Sequence, residues 1–320
     1  EISACLVGSE MCIRDRGSGA LGSGFGAKLF QNGYEVSLID GWEPQVTSIQ
    51  QEGLHIDING EGYHFDIPMH CLSQIPSNEL YDVIFLFPKS MQLESVLDAI
   101  KPHIHKETIV VCTMNGLKHE RLIRNYVEDV RIVRGVTTWT AGIDVPGHTH
   151  LMGSGPVEVG CLVPEGIDNV KIIVDILNQS ELNGVVSEDL HQSIWKKICV
   201  NGTANALCSI LECNLATLNE SSYAKNLIYK LTQEIVHVAT SDHVHLNVDE
   251  VFEYLIDLNE KVGPHYPSMY QDLIKDHRKT EIDYINGAVA RLGKENHIPA
   301  PVNEFVTNLI HSKESQLNAQ

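Results

Sequence analysis

From residue 17 onward the chain alternates two kinds of hydrophobic pattern. Apolar runs of strand length, Glu35–Asp40, Asp82–Phe87 and Thr108–Thr113, are separated by segments whose apolar residues recur at helical spacing: Phe25–Phe30, Trp42–Gln51 and Ser90–Ile100. A continuous apolar run is what a parallel strand needs when both of its faces are covered. Gly33 and Gly53 each follow the last apolar position of a helical segment, where a residue tolerant of positive φ stops a helix. Leu54–Ile58 and Tyr63–Ile67 flank Asn59-Gly60, and an Asn-Gly pair between two such runs predicts a hairpin. Val130–Thr140 and the Gly-rich stretch Gly147–Gly160 supply further strands and turns. The alternation predicts an α/β fold with a doubly wound, Rossmann-type parallel sheet.

Near Ser187 the pattern changes. Helical periodicity dominates 188–212, 220–243, 248–262 and 267–293, with Ser187 placed to cap the first of these helices. The expected organisation is a dinucleotide-binding domain over 1–187 and an all-α substrate and catalytic domain over 188–320. No internal repeat or low-complexity linker separates them, so the two are expected to pack around a cleft.

Residues 1–16 fit this scheme poorly. A dinucleotide-binding turn follows directly on a buried apolar strand, yet Arg14, Asp15 and Arg16 stand where that strand should end. The run Cys5–Arg16 resembles translated adapter sequence, and the favoured expectation is that foreign residues replace the true first strand. The competing assignment makes Ile2–Val7 the strand, with an insertion before the turn. No signal peptide is read in this segment.

Composition narrows the classes of function. The chain has 42 Asp+Glu against 23 Lys+Arg, a formal net charge of −19. Such a field repels phosphate backbones and anionic lipid, which argues against nucleic-acid and membrane partners. An anionic substrate would need a local cation. The eight Cys form no C-x-x-C pair, and Cys112, Cys161 and Cys199 sit among apolar neighbours, as in a reduced cytoplasmic protein. No metal-ligand spacing is present, and no role is assigned to any of the 16 His.

Two segments carry candidate chemistry. Gly17-x-Gly19-x-x-Gly22 has the dinucleotide fingerprint spacing: a tight turn, a close backbone approach to diphosphate, and close helix–strand packing. The diphosphate would lie at the helix N-terminus, where free N–H groups and the dipole favour anions. Asp40 ends the second strand, near the ~20-residue spacing expected of a ribose-binding acid. A carboxylate there accepts from a ribose 2′-hydroxyl and repels a 2′-phosphate, which favours NADH; a solvated strand-end Asp is the plainer alternative. In Trp195-Lys196-Lys197-x-x-x-Asn201-x-x-x-Asn205, Lys197, Asn201 and Asn205 recur every four residues. On an α-helix they share one face, drifting by about 40° per step. An ammonium and two amides together can hold an oxyanion, a hydroxyl and a carboxylate; a solvent-exposed polar face is the alternative, with Lys196 the more solvated of the two lysines.

Several blocks together resemble the ketopantoate reductase (2-dehydropantoate 2-reductase) family. They are Gly17–Gly26, Phe87-Pro88-Lys89-Ser90, Met114-Asn115-Gly116, Trp195–Asn201, Pro267–Asp272 and Thr280–Gly287. The resemblance runs from about residue 17 to the C-terminus. It implies a nicotinamide-dependent reduction of ketopantoate to pantoate, a step of pantothenate biosynthesis, on a Rossmann domain followed by a helical domain of the 6-phosphogluconate-dehydrogenase type. By motif position it places Lys89, Asn115 and Ala141 against the cofactor, with Asn115 also approaching the substrate. It makes Lys197 the general acid, gives Asn201 and Asn205 the hydroxyl and keto oxygens, Ser268 the carboxylate, and Glu281 the cofactor ribose. The plainer assignments are a solvated Lys89, Ser268 as a helix N-cap, and Glu281 paired with Lys279 or Arg278.

The family prefers NADPH through a basic residue after the second strand, and Asp40-Gly41-Trp42 offers none. NADPH is therefore expected from the resemblance and NADH from Asp40. The expected partner is a small 2-keto acid, with a homodimer left open. Two alternatives stand beside the main expectation: a D-2-hydroxyacid dehydrogenase acting on branched or aromatic 2-keto acids, and a non-catalytic nucleotide-binding protein.

Overall fold

The structure, a computed structural model, describes residues 3–7 and 18–317. Contacts divide the chain into two compact units. Unit one runs to Met114 and resumes over Lys118–Leu190; unit two takes Asn115–Leu117 and everything from His191.

In chain order, unit one contains β1 (Ser3–Val7), α1 (Ser18–Gln31), β2 (Glu35–Asp40), α2 (Glu43–Glu52), β3 (Leu54–Ile58), β4 (Glu61–Phe65), β5 (Met69–Cys71) and β6 (Tyr81–Leu86). It continues through α3 (Leu93–Ile100), β7 (Ile104–Cys112), α4 (Glu120–Ile123), β8 (Ile132–Thr137), β9 (Thr140–Val145), β10 (His148–Met152), β11 (Val157–Cys161), α5 (Ile167–Gln179) and β12 (Gly184–Val186). The main sheet has the order β12-β11-β8-β7-β6-β1-β2-β5 and is parallel except where β11 runs against β8. Its strands are the continuous apolar runs of the sequence: Val83, Ile84, Phe85 and Leu86 of β6 and Ile109–Cys112 of β7 are all buried. A smaller sheet, β4-β3-β10-β9, contains the expected hairpin. Asn59 and Gly60 both take positive φ, the geometry of a type I′ turn.

The first strand falls where the competing assignment put it, while Arg14–Arg16 lie outside the described residues. Ser3–Val7 lies in the middle of the main sheet, paired with β2 from Ser3 opposite Glu35 to Val7 opposite Ile39, and with β6 from Ala4 opposite Val83 to Val7 opposite Leu86. The run Ser-Ala-Cys-Leu-Val carries no charge, so it meets the requirement of a covered strand that Arg14–Arg16 fails. Strand order departs in opposite directions from β1, to β6 on one side and β2 on the other. In open α/β sheets ligands bind outside the carboxyl ends of the strands at such a switch point.

Unit two is helical. It contains α6 (Leu190–Val200), a π-helical turn over Asn201–Asn205, α7 (Ala206–Leu211), α8 (Leu215–Glu220), α9 (Ser222–Ala239) and α10 (Val248–Val262). α11 (Ser268–Tyr270), a second π-turn (Gln271–Lys275), α12 (Asn286–Glu295) and α13 (Pro301–Leu317) complete it. Among the described residues no helix is long and apolar enough to cross a membrane.

Three sequence expectations change here. The segment 188–212 is an α-helix interrupted by a π-turn, and Ser187 does not cap it: its hydroxyl donates to Glu158 and its N–H to the Val159 carbonyl, which extends β12. The segment 267–293 is broken between the second π-turn and α12. Arg278 folds back there, its N–H on the Asp272 carbonyl at 2.9 Å and its guanidinium on the Asp272 carboxylate. Met269, Leu273, Ile282, Ile285, Val289 and Leu292 are buried on both sides of the break, so near-helical apolar spacing survives without a continuous helix. Finally, α13 lies beyond the last expected helix, although Pro301 at its first position and Glu304 in its first turn are ordinary start signals.

One buried charge anchors the end of β7. Arg134 of β8 is 1% exposed; its Nη1 donates to the Cys112 carbonyl at 3.1 Å, and its Nε lies 3.5 Å from the Glu120 carboxylate. Removing one partner of such a pair strands the other. Arg134→Ala should lower the unfolding free energy by about 3–5 kcal/mol, read as a shift of the urea midpoint. A midpoint equal to that of wild type would mean that the pair contributes nothing.

Candidate functional site

In unit one the fingerprint turn meets the end of β2. Gly17 lies outside the described residues. Gly19, in the first turn of α1, sits so close to Asp40 that a Cβ there would stand 2.5 Å from Oδ2, so this approach demands glycine. Gly22 packs one turn later against the Phe87 ring, at 3.4 Å from the position of an added Cβ. Asp40 is 4% exposed, and its Oδ1 accepts from the Trp42 N–H at 2.8 Å. Burial pushes its pKa up to about 7, against the lowering effect of the Trp42 and Gly41 N–H groups. The solvated strand-end alternative for Asp40 therefore does not hold.

This arrangement fits a dinucleotide. A cradle that any Cβ would fill lies at the first turn of a helix, beside a carboxylate acceptor at the carboxyl end of β2. Lys89 follows β6, half-buried, with extended backbone leading into the short turn Ser90–Gln92. Ala141 lies in β9, half-buried and opposite Leu151 of β10.

A buried pair beside Lys89 escaped the sequence. Ser90 Oγ lies 2.9 Å from Nε2 of His119, and both residues are buried. Burial, helped by the positive charge of Arg134, holds His119 well below its ordinary pKa, so the ring is neutral. Ser90 and His119 are 29 residues apart in sequence, and no local pattern marks their meeting.

In unit two three amides form a relay. Asn205 Nδ2 donates to Asn201 Oδ1 at 3.3 Å, and Asn201 Nδ2 to Asn115 Oδ1 at 3.4 Å. These are long contacts. Asn201 and Asn205 are each 8% exposed and sit in the π-turn rather than in an α-helix. Lys197 stands one turn earlier, half-buried, while Lys196 is exposed. Trp195, Ile198 and Cys199 turn into the core, and Trp195 Nε1 donates to Asp242 at 3.0 Å. Asn115 joins this group because the chain leaves unit one for three residues: Leu117 enters the helical core and its N–H donates to the Tyr284 carbonyl at 3.0 Å.

The remaining expected residues lie on two neighbouring segments. Ser268 is exposed at the first position of α11, which packs on α7 and on the π-turn of the asparagines. Pro267, not Ser268, occupies the cap position, so Ser268 is not the N-cap. Glu281 is buried, and its charge acts on Arg278. Burial lowers the Arg278 pKa to about 10, with Glu281 opposing that shift. The segment bearing Glu281 is clamped by α13. Glu314 Oε1 accepts from both the N–H and the hydroxyl of Thr280, at 2.7 and 2.8 Å. His311 bridges two carboxylates, 2.9 Å from Glu314 and 3.0 Å from Asp283. Among the described residues no group of His, Cys, Asp and Glu is arranged to hold a metal ion.

Comparison with known proteins shows the family. A family model described as ketopantoate reductase PanE/ApbA matches residues 16–164, and one described as ketopantoate reductase PanE/ApbA C terminal matches residues 189–314. The chain is 44% identical to a 2-dehydropantoate 2-reductase of Lactococcus lactis subsp. lactis over 312 residues, covering 97% of this chain and 100% of that protein. It is 38% identical to one of Streptococcus pyogenes serotype M18, covering 97% and 100%. Among solved structures it resembles the ternary structure of D-mandelate dehydrogenase with NADH and anilino(oxo)acetate, with a TM-score of 0.91 at 42% identity, covering 98% of this chain and 99% of that one.

The His311 bridge makes a pH prediction. Burial lowers the pKa of His311, but hydrogen bonds and charges from Asp283 and Glu314 outweigh it and the net shift is upward. A raised pKa means that the stabilisation is fully present below the ordinary value of 6.5 and is lost as pH rises through the folded-state value. The Tm difference between wild type and His311→Gln should therefore be largest in mildly acidic buffer and shrink on the alkaline side. A difference independent of pH would show that the imidazolium is not what holds the segment.

Proposed function

The chain belongs to the ketopantoate reductase family, and from that premise we propose that it is an NADH-preferring D-2-hydroxyacid dehydrogenase for branched or aromatic 2-keto acids. The broader statement needs no proposal: it is a nicotinamide-dependent oxidoreductase of a superfamily that acts on 2-keto and 2-hydroxy acids. The observation that carries the narrower reading is the likeness, at 42% identity over nearly the whole chain, to a D-mandelate dehydrogenase holding NADH and anilino(oxo)acetate. Asp40 supports it independently: an acceptor at the end of β2 suits a ribose hydroxyl and disfavours a phosphate. Reduction of ketopantoate is the second reading, favoured by the 44% identity to the Lactococcus protein of that name.

When bound, the nicotinamide supplies the hydride. The chain's own residues divide the remaining work. In unit one, Gly19 and Gly22 bring the first turn of α1 to the diphosphate, with Gly17 of the same fingerprint before them in the sequence, Asp40 accepts from the ribose, and Lys89 and Ala141 lie along the cofactor. In unit two, Lys197 supplies the cation that a chain of net charge −19 must provide locally for an anionic substrate. Its ammonium stabilises the charge developing on the keto oxygen and donates the proton. Asn201 and Asn205 orient the substrate oxygens, and Asn115 extends the same relay toward the nicotinamide. Ser268 serves the substrate carboxylate from the N-terminus of α11, and Glu281 the cofactor ribose.

Initial rates with ketopantoate, 2-ketoisocaproate and benzoylformate test the substrate. The larger branched or aromatic acids should give the higher kcat/KM, and a clear preference for ketopantoate would select the second reading. Lys197→Ala should lower kcat by about 10²–10⁴-fold with NADH binding retained; near-normal turnover would remove Lys197 from the proton-donor role.

Asp40 gives a separate outcome. Its ionised form is the better acceptor, so NADH should bind more tightly as pH rises through about 7. Asp40→Asn should flatten that dependence, and a wild-type pH profile in the variant would mean that Asp40 does not touch the ribose.

A further inference from the structure

The π-turn that carries Asn201 and Asn205 is held from outside its own helix. Asn286, the first residue of α12, is fully buried, and its Nδ2 donates to the Gly202 carbonyl at 2.7 Å and to Asn303 Oδ1 at 3.0 Å. Asn303, also fully buried, donates from Nδ2 to Glu234 Oε2 at 2.8 Å and from its backbone N–H to the same oxygen at 2.9 Å. The other oxygen of Glu234 accepts from the Val302 N–H at 2.9 Å.

These bonds have only one consistent direction. An ionised carboxylate accepts and never donates, so Glu234 dictates that the Nδ2 end of Asn303 faces it. Asn303 Oδ1 then faces Asn286, and Nδ2 of Asn286 must face both Oδ1 and the Gly202 carbonyl. Flipping either amide would set acceptor against acceptor in a buried site. The orientation chosen on α9 is thus passed through α13 and α12 to one carbonyl of the π-turn. Residue 202 has to be small for this: a Cβ there would stand 3.0 Å from Ile235 Cδ1 and 3.4 Å from Asn286 Nδ2.

We propose that Asn286 is a positioning residue for the reduction: by clamping the Gly202 carbonyl it keeps the turn in its widened form, and so directs the side chains of Asn201 and Asn205 at the substrate oxygens. The proposal rests on the function assigned to those two asparagines. A turn closed by i→i+5 bonds sets residues four apart in a different relative direction from an α-helix. Asn201, Gly202 and Asn205 share that turn, so a shift of the Gly202 carbonyl moves both amides together.

The test uses the full chain, with kcat and KM for the preferred 2-keto acid, NADH affinity and Tm measured for Asn201→Ala, Asn286→Ala, their double variant and Glu234→Gln. Asn286→Ala should lose about 10- to 100-fold in kcat, with NADH affinity unchanged and a smaller effect on KM. In the Asn201→Ala background its effect should shrink to the part that acts through Asn205, well below the loss it causes alone. A folded Asn286→Ala enzyme with wild-type kcat, or losses that simply multiply in the double variant, would overturn the proposal. If Asn286→Ala does not fold, Glu234→Gln decides. It keeps the size of the side chain, but its single amide oxygen can serve only one side of the site and its Nε2 then opposes either the Val302 N–H or the donors of Asn303; kcat should fall, and unchanged kcat overturns the proposal. If Asn201→Ala itself turns over normally, the functional assignment falls and the clamp falls with it, whereas normal turnover in Asn286→Ala alone removes only the clamp.

Discussion

A buried polar side chain is tolerable only when its donors and acceptors are met, and unit two is organised by that constraint. Asn201, Asn205, Asn286, Asn303, Asp272, Glu281 and Glu314 are all buried, beside a core rich in Leu, Ile, Val and Ala. Several lean on a neighbour distant in sequence. Glu234 sets the amides of α12 and α13, Arg278 holds Asp272, and Glu314 holds Thr280. Linked hydrogen bonds of this kind stiffen the unit, because a member that moves leaves its partner unpaired. In the proposed function, side chains that meet a small, charged substrate are thereby fixed before it arrives, and the cost of ordering them falls on folding rather than on binding.

Unit one solves a different problem with different means. The central strands of its sheet are largely apolar, and Asp40, Ser90 and His119 stand at or just past the carboxyl ends of β2, β6 and β7. Asp40, Ser90 and His119 are set there by tight packing rather than by a long relay. The first turn of α1 can approach Asp40 only because no side chain intervenes at residue 19. Beneath them Arg134 ties the end of β7, just before the chain passes into Thr113–Asn115.

Much of this was legible in the residues. Period and run length marked the α/β half, and the Asn-Gly hairpin was placed to within two residues, because those features are local. The fingerprint glycines and Asp40 could be read because spacing along one strand–helix unit fixes their proximity. What escaped was of two kinds. Non-local pairs such as Ser90 with His119, or Asn286 with Gly202, leave no periodic trace. Helix interruptions escaped too, because the apolar residues keep nearly the same spacing across a π-turn or a short break, so Lys197, Asn201 and Asn205 were given one helical face where the chain builds a wider turn. The charged run Arg14–Arg16 misled in the opposite sense, since it drew attention from the uncharged residues before it that form the central strand.

The excursion of Asn115–Leu117 into the helical unit bears on how the chain is made. Synthesis delivers Leu117 long before Tyr284, whose carbonyl receives its N–H, and before every helix of the core that Leu117 enters. Those three residues wait exposed on the nascent chain until the last third has emerged, a long loop closure of the kind that slows folding. The helical half expressed alone from residue 191 would lack a core residue and one amide of its relay, so the two halves are not interchangeable modules, and a shuffled or split gene would have to carry this short strip with the second half.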